Sequence, residues 1–282
     1  MALQYTVLKL LPKNALSRAV GALCRLPGPR PVVQASMRAF AKAVNVDMSE
    51  AEFPLEHYPT FTEFFTRRLK AGARPITPGD TLPVSPVDGT VGMCGRIEQG
   101  TLVQAKGRTY TLAELVGGPT AKLDAEVFEG GTFVTIYLAP YNYHRIHTPL
   151  GGQIQGYCNV PGNLWPVNAV GVENVDKLFC VNERLTTYIE SPAGACAVVK
   201  VGATNVGRIR ALYADVVTNA KMTREVQRVR FERPVEVAKG GEIAMFEMGS
   251  TVVLLFQKAF ELGEKITLGT PIKLGEPLGK VA

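Results

Sequence analysis

At 282 residues, 46% hydrophobic and 20% charged, the chain has ample apolar material for one large domain or two small ones, which excludes a disordered chain. The formal charge of +6, from 31 Lys and Arg against 25 Asp and Glu, is spread too thinly to mark a nucleic-acid binder. Five cysteines without a Cys-x-x-Cys pair argue against a disulfide framework or a thiolate zinc site, and no run approaches the roughly 20 apolar residues of a membrane-spanning helix.

In chain order, NALSRAVGALCRL places Leu16, Val20 and Leu23 on one helical face with Arg18 and Arg25 roughly opposite. VVQASMRAFAKAVNV repeats the pattern, Val33, Met37, Phe40 and Val44 facing away from Arg38 and Lys42, and Pro27, Pro29 and Pro31 separate the two helices. Such helices suit a membrane surface, and equally a helix packed on a core. Thr60-x-x-Glu63 forms a capping box ahead of Phe61, Phe64, Phe65 and Leu69. From about Leu82 the texture becomes short β-rich runs, among them GTVGMCGRI, GTFVTIYLAP, ACAVVKVGA, GEIAMFEMG, STVVLLF and KITLGTPIKLGEPLGKV, with one helical stretch near Leu112 to Leu115. Leu150 to Val172, uncharged up to its last residue and dense in Gly, Pro and Asn, reads as a long mobile loop. The fold expected is α+β: a mainly β, sandwich or barrel-like catalytic body with N-terminal amphipathic helices.

Two of the three histidines, His144 and His147, stand together in APYNYHRIHTP at a strand end. There an imidazole pair serves as acid, base or metal ligand, or is merely solvated. Asp88 in SPVDGTV could complete a metal site, orient a histidine, or sit in an Asp-Gly turn. In FEMGSTVVLLF the Gly249-Ser250-Thr251 step fits a turn between strands, or supplies a nucleophile to an Asp, His, Ser set. A zinc hydrolase using His144, His147 and Asp88, a serine hydrolase, and a non-enzymatic lipid-surface binding module all remain open on the residues alone.

Longer strings narrow the choice. FTEFFTRRL followed by RPI, SPVDGTV, QAKGRTYTL, GTFVTIYLAPYNYHRIHTP, VPGNLWPVN, FCVNERL, VGATNVGRI and the MGST step together resemble the bacterial, pyruvoyl-dependent phosphatidylserine decarboxylases over nearly the whole length. One departure is Met248, where that family commonly has Leu. The resemblance implies a proenzyme that cuts itself at Gly249–Ser250 into a large chain (1–249) and a small chain (250–282). Ser250 is then the nucleophile, His147 its base and Asp88 the orienting group, and the resulting ester eliminates and hydrolyses, releasing ammonia and leaving a pyruvoyl group at position 250. That group, acting as a Schiff-base electron sink, is the implied cofactor, with no metal. His144 is the candidate for proton transfer or substrate orientation. The implied organisation is a membrane-associating helical region over 1–70 and a catalytic domain over 71–282, peripheral on the cytoplasmic face of the bacterial cell membrane. Expected partners are phosphatidylserine, an anionic membrane surface met by Arg18, Arg25, Arg38 and Lys42, the cleaved small chain, and further copies of the two-chain unit; nucleic acid is not among them.

Overall fold

Continuous apolar runs become central strands here and charged alternating runs become edges. The computed structural model describes residues 9, 11–104, 107–117, 125–204, 207–220, 225–247, 251–257 and 260–281. Its helices are α1 (Lys13–Arg25), α2 (Arg30–Val44), α3 (Phe61–Phe65), α4 (Leu112–Val116), α5 (Ala169–Asn174) and α6 (Leu178–Val181). Its strands are β1 (Gly89–Arg96), β2 (Thr101–Val103), β3 (Thr109–Thr111), β4 (Thr132–Tyr137), β5 (Arg145–His147), β6 (Gly152–Val160), β7 (Arg184–Ser191) and β8 (Gly194–Val201). They continue with β9 (Ile209–Ala211), β10 (Gln227–Val237), β11 (Glu242–Phe246), β12 (Thr251–Phe256), β13 (Phe260–Leu262), β14 (Pro271–Ile272) and β15 (Gly279–Val281).

The large sheet has eight strands in the order β10-β6-β7-β8-β12-β4-β1-β14. It stays open, so among the described residues the fold is α+β without a closed barrel, which corrects the barrel-like part of the expectation. Its edges are built as edges: β10 carries Arg230, Glu232, Arg233 and Glu236, with Pro234 at a register shift, and β14 is only two residues long. The loop expected over Leu150 to Val172 is also corrected, because β6 occupies Gly152–Val160. Glycine density misleads there: a Cβ on Gly152 or Gly156 would come within 2.1 Å of the Glu190 or Val229 carbonyl oxygen of the adjacent strand. These glycines permit close strand approach beside a bulge rather than a loop.

The strand β12 is buried throughout between β8 and β4. Its alternate residues enter two cores: Val252, Leu254 and Phe256 pack in the cluster that also holds Ile146, Ile243 and Phe246 of the small sheet β5-β11-β9, while Val253 and Leu255 pack with Leu115, Phe128 and Phe179. Burial on both faces explains the unbroken VVLLF run. Register brings six strand ends into one row, Val160, Arg184, Val201, Thr251, Tyr137 and Thr90. Both β1 and β12 begin at this end, with β4 between them, so Thr90 and Thr251 are about 10 Å apart at the usual interstrand spacing.

The two amphipathic helices divide. The α2 stripe faces inward: Met37 is fully buried against Tyr58 and Phe64, and Phe40 meets Phe61 edge-on at 5.1 Å, while Arg38 pairs with Glu56. The opposite holds for α1. Its Lys13 and Ser17 are buried, and Leu16, Leu23 and the following Leu26 are exposed. Its polar face spans the row of strand ends: Lys13 Nζ lies 3.8 Å from the Trp165 ring centroid, Asn14 donates to the Gly162 carbonyl, Arg18 to Asn219 Oδ1 and Arg25 to Glu247. Arg18 and Arg25 therefore turn toward the protein, not outward as the expected contact with head groups required. The Thr60 cap forms as expected, its hydroxyl accepting from the Glu63 N–H.

Candidate active site

Asp88, His144 and His147 lie near the common strand end. Asp88 immediately precedes β1 and is buried, with both carboxylate oxygens engaged. Arg74 donates to it from Nε (2.9 Å to Oδ1) and Nη2 (2.6 Å to Oδ2), and the Leu274 N–H donates to Oδ1 at 2.9 Å. The guanidinium also reaches Glu50 at 2.7 Å. These contacts anchor Asp88 to residue 274, which lies within the expected small chain.

His147 closes β5. Its Nδ1–H donates to the Gly240 carbonyl at 2.7 Å, and since a carbonyl only accepts, the proton is fixed on Nδ1 and Nε2 carries the lone pair. The Tyr143 hydroxyl donates to that Nε2 at 3.1 Å. Burial holds the imidazole below its ordinary pKa, so it is neutral at neutral pH and suited to take a proton. The ring lines a cavity of about 220 Å³ with Tyr143, Arg74, Gly240 and Glu242. Its backbone N–H donates to the Pro86 carbonyl, so Asp88 and His147 are neighbours, but the Gly240 carbonyl rather than the aspartate sets the tautomer.

His144 is wholly buried and tilted against Phe65 at a centroid distance of 4.1 Å. Its Nδ1–H donates to the Asn142 carbonyl at 2.8 Å, leaving Nε2 as a lone pair with no partner. Desolvation lowers its pKa to about 3. The His144 carbonyl accepts from the Phe246 N–H at the end of β11, whereas His147 pairs with Glu242 at the start of that strand. Four residues of strand rise, about 13 Å, separate those two positions. The expected cleavage pair, Gly249 and Ser250, lies outside the described residues; Glu247, ion-paired with Arg25, Arg208 and Arg210, and Thr251 flank it.

Among the described residues no three His, Cys, Asp or Glu side chains gather as metal ligands; of the zinc alternative's donors, Asp88 is committed to Arg74 and His147 to Gly240 and Tyr143. Sequence reasoning missed Arg74, Tyr143 and Gly240. The first two stand inside strings that carry the resemblance, but a role for each appears only when its partner is seen.

A sequence model of the family described as phosphatidylserine decarboxylase matches residues 61–280. The chain belongs to the phosphatidylserine decarboxylase family. It is 52% identical over 276 residues to the phosphatidylserine decarboxylase proenzyme of Myxococcus xanthus, covering 98% of this chain and 97% of that protein. The proenzyme of Anaeromyxobacter sp. (strain K) is 50% identical over 279 residues, with 98% of both chains covered. That of Brevibacillus brevis is 44% identical over 270 residues, covering 95% of this chain and 94% of its own. The decarboxylase match spans the row of strand ends, both histidines and Asp88.

Proposed function

We propose that this chain matures by cutting itself at Gly249–Ser250, and that the pyruvoyl group so formed converts phosphatidylserine to phosphatidylethanolamine and carbon dioxide. The observation that carries the reading is His144 Nε2, a buried lone pair without a partner, beside the strand β11 whose chain continues through Ser250 into β12.

In the first reaction the Ser250 oxygen attacks the Gly249 carbonyl carbon while its proton passes to His147 Nε2, which the Gly240 contact keeps unprotonated. The Gly249–Ser250 C–N bond then breaks, the proton going to the departing Ser250 nitrogen and leaving an ester that eliminates and hydrolyses with loss of ammonia. In this reading the Tyr143 hydroxyl, already hydrogen-bonded to His147 Nε2, relays the proton. The negative charge of Asp88 favours the imidazolium at a distance. Cleavage leaves β12 where it is, held on both sides by complete antiparallel pairing, so the small chain stays bound.

The residues fit a pyruvoyl group because two neutral imidazoles, His144 and His147, stand near the strand end to carry the protons its chemistry moves. When formed, that carbonyl accepts the electron pair left at Cα as carbon dioxide departs. In this reading His144 takes up a proton at Nε2 when an anionic head group lies beside it, since adjacent negative charge favours the imidazolium, and returns it to Cα.

The exposed leucines of α1 support a peripheral membrane location, which this reading assigns to the cytoplasmic face of the bacterial membrane. Residues 1–70 then form the membrane-associating region and 71–282 the catalytic domain, working as a two-chain unit that associates with further copies. Because α1 spans the row of strand ends, acyl chains resting against Leu16 and Leu23 place a head group close to the site.

Intact mass under denaturing conditions tests the reading. Two fragments split at Gly249–Ser250 are expected, the smaller reacting with carbonyl reagents, and Ser250→Ala should remain whole and inactive. Active protein still carrying an unmodified serine would overturn it.

A further inference from the structure

We propose that Arg67 is the seat of the lipid head group's phosphodiester, an assignment that rests on the decarboxylase reading above. Arg67 follows α3 and is only 3% exposed. Its Nη2 donates to the Tyr141 carbonyl at 3.2 Å, and its guanidinium lies 5.6 Å from the Phe64 ring centroid. Its Nε–H is buried with no acceptor. Among the described residues no carboxylate stands within ion-pair distance; Asp88 and Asp47 act on it only from farther away. A buried cation without a counterion is unfavourable unless an anion completes it.

Arg67 borders a cavity of about 400 Å³ together with Asn142, Tyr143 and Thr90, the last in the row of strand ends. The acids in its lining are already engaged. Asp88 and Glu50 accept from Arg74, Glu276 from the Lys273 N–H and Asp47 from the Ser49 N–H. Arg67 is the cation of that lining that faces no carboxylate, which suits the negatively charged phosphodiester of the head group.

Reaction chemistry selects the phosphodiester over the carboxylate. A guanidinium on the departing carboxylate would stabilise the ground state and lose its partner as carbon dioxide leaves, raising the barrier. The phosphodiester keeps its charge from substrate to product, so holding it strengthens binding without opposing the chemistry.

The test is steady-state kinetics of matured enzyme in detergent–lipid mixed micelles, comparing the parent with Arg67→Gln and Arg67→Lys. Losing the charged contact should raise KM for phosphatidylserine about tenfold or more, with kcat changed less than about threefold. Inhibition by phosphatidylethanolamine, which keeps the phosphodiester but lacks the carboxylate, should weaken by the same factor, and Lys should recover part of both. An unchanged KM overturns the assignment, as does a raised KM with undiminished product inhibition, which would put the carboxylate at Arg67. A parent inactive on phosphatidylserine would instead sink the decarboxylase reading itself. If Arg67→Gln fails to mature, the uncut Ser250→Ala chain is titrated with glycerophosphoethanolamine, with and without Arg67→Lys. The diester should raise the thermal midpoint of the chain with Arg67 intact, and less with Lys. No rise in the chain with Arg67 intact, or an equal rise with inorganic phosphate, overturns the lipid assignment.

Discussion

Replacing Leu16, Leu23 and Leu26 together by Gln removes the apolar face that α1 turns outward. Their exposures of 41%, 70% and 61% amount to roughly 1.7 fully exposed leucine side chains. At about 2 kcal/mol for each leucine moved out of water, they contribute roughly 3.5 kcal/mol to membrane partitioning, or about two and a half decades in the partition constant. Arg18 and Arg25 are tied to Asn219 and Glu247, so little of the α1 contribution is electrostatic. Co-sedimentation with vesicles of phosphatidylglycerol and phosphatidylcholine, across a range of salt, measures the effect. The triple variant should lose more than a hundredfold in partitioning, by a similar factor at low and high salt, while its circular dichroism stays that of the parent. A loss below about threefold, or one that vanishes in high salt, would refute the argument that this face enters the acyl boundary.

Three further outcomes concern the uncut Ser250→Ala chain, whose single polypeptide suits equilibrium unfolding. Lys200 is fully buried in β8, its side-chain nitrogen reaching, among the described residues, only the Thr187 hydroxyl and the Val198 carbonyl, and burial drives its pKa well down. The fold disfavours its protonated form relative to the unfolded chain, so stability rises with pH toward the unfolded lysine value; Lys200→Met should be stabilising at pH 8, with the gain shrinking toward pH 10. For His144, whose pKa falls to about 3, the unfolded chain binds the extra proton between about pH 6.5 and 3, so stability drops as pH falls through that window. Denaturant titrations should find this slope smaller in His144→Phe by about 1.4 kcal/mol per pH unit. Arg74→Gln leaves the buried Asp88 carboxylate without its cation and should lower stability by about 3–5 kcal/mol, with Asp88→Asn on the same chain recovering part of the loss.

Much of the site was legible without coordinates because its residues are local signals. The His144 and His147 pair, the Asp-Gly step at Asp88 and the small polar step before VVLLF announce themselves in a chain with three histidines. The six β-rich runs named from the sequence all contain strands, since apolar and β-branched runs report burial directly. β6 and β10 escaped for opposite reasons, one diluted by glycines that adjacent backbones require and the other carrying the charges of an edge.

What the sequence alone determined is chemical identity: which groups can attack, carry a proton or hold a charge, and which segments bury apolar surface. Those properties belong to single residues and short periodicities. Only the tertiary structure decided the pairings: Asp88 with Arg74, His147 with Gly240 and Tyr143, Arg67 without a carboxylate, and α1 with its leucines outward although α2 has the same pattern turned in. The moment of a helix says that it has two faces, and nothing within thirteen residues says which face the rest of the chain will cover.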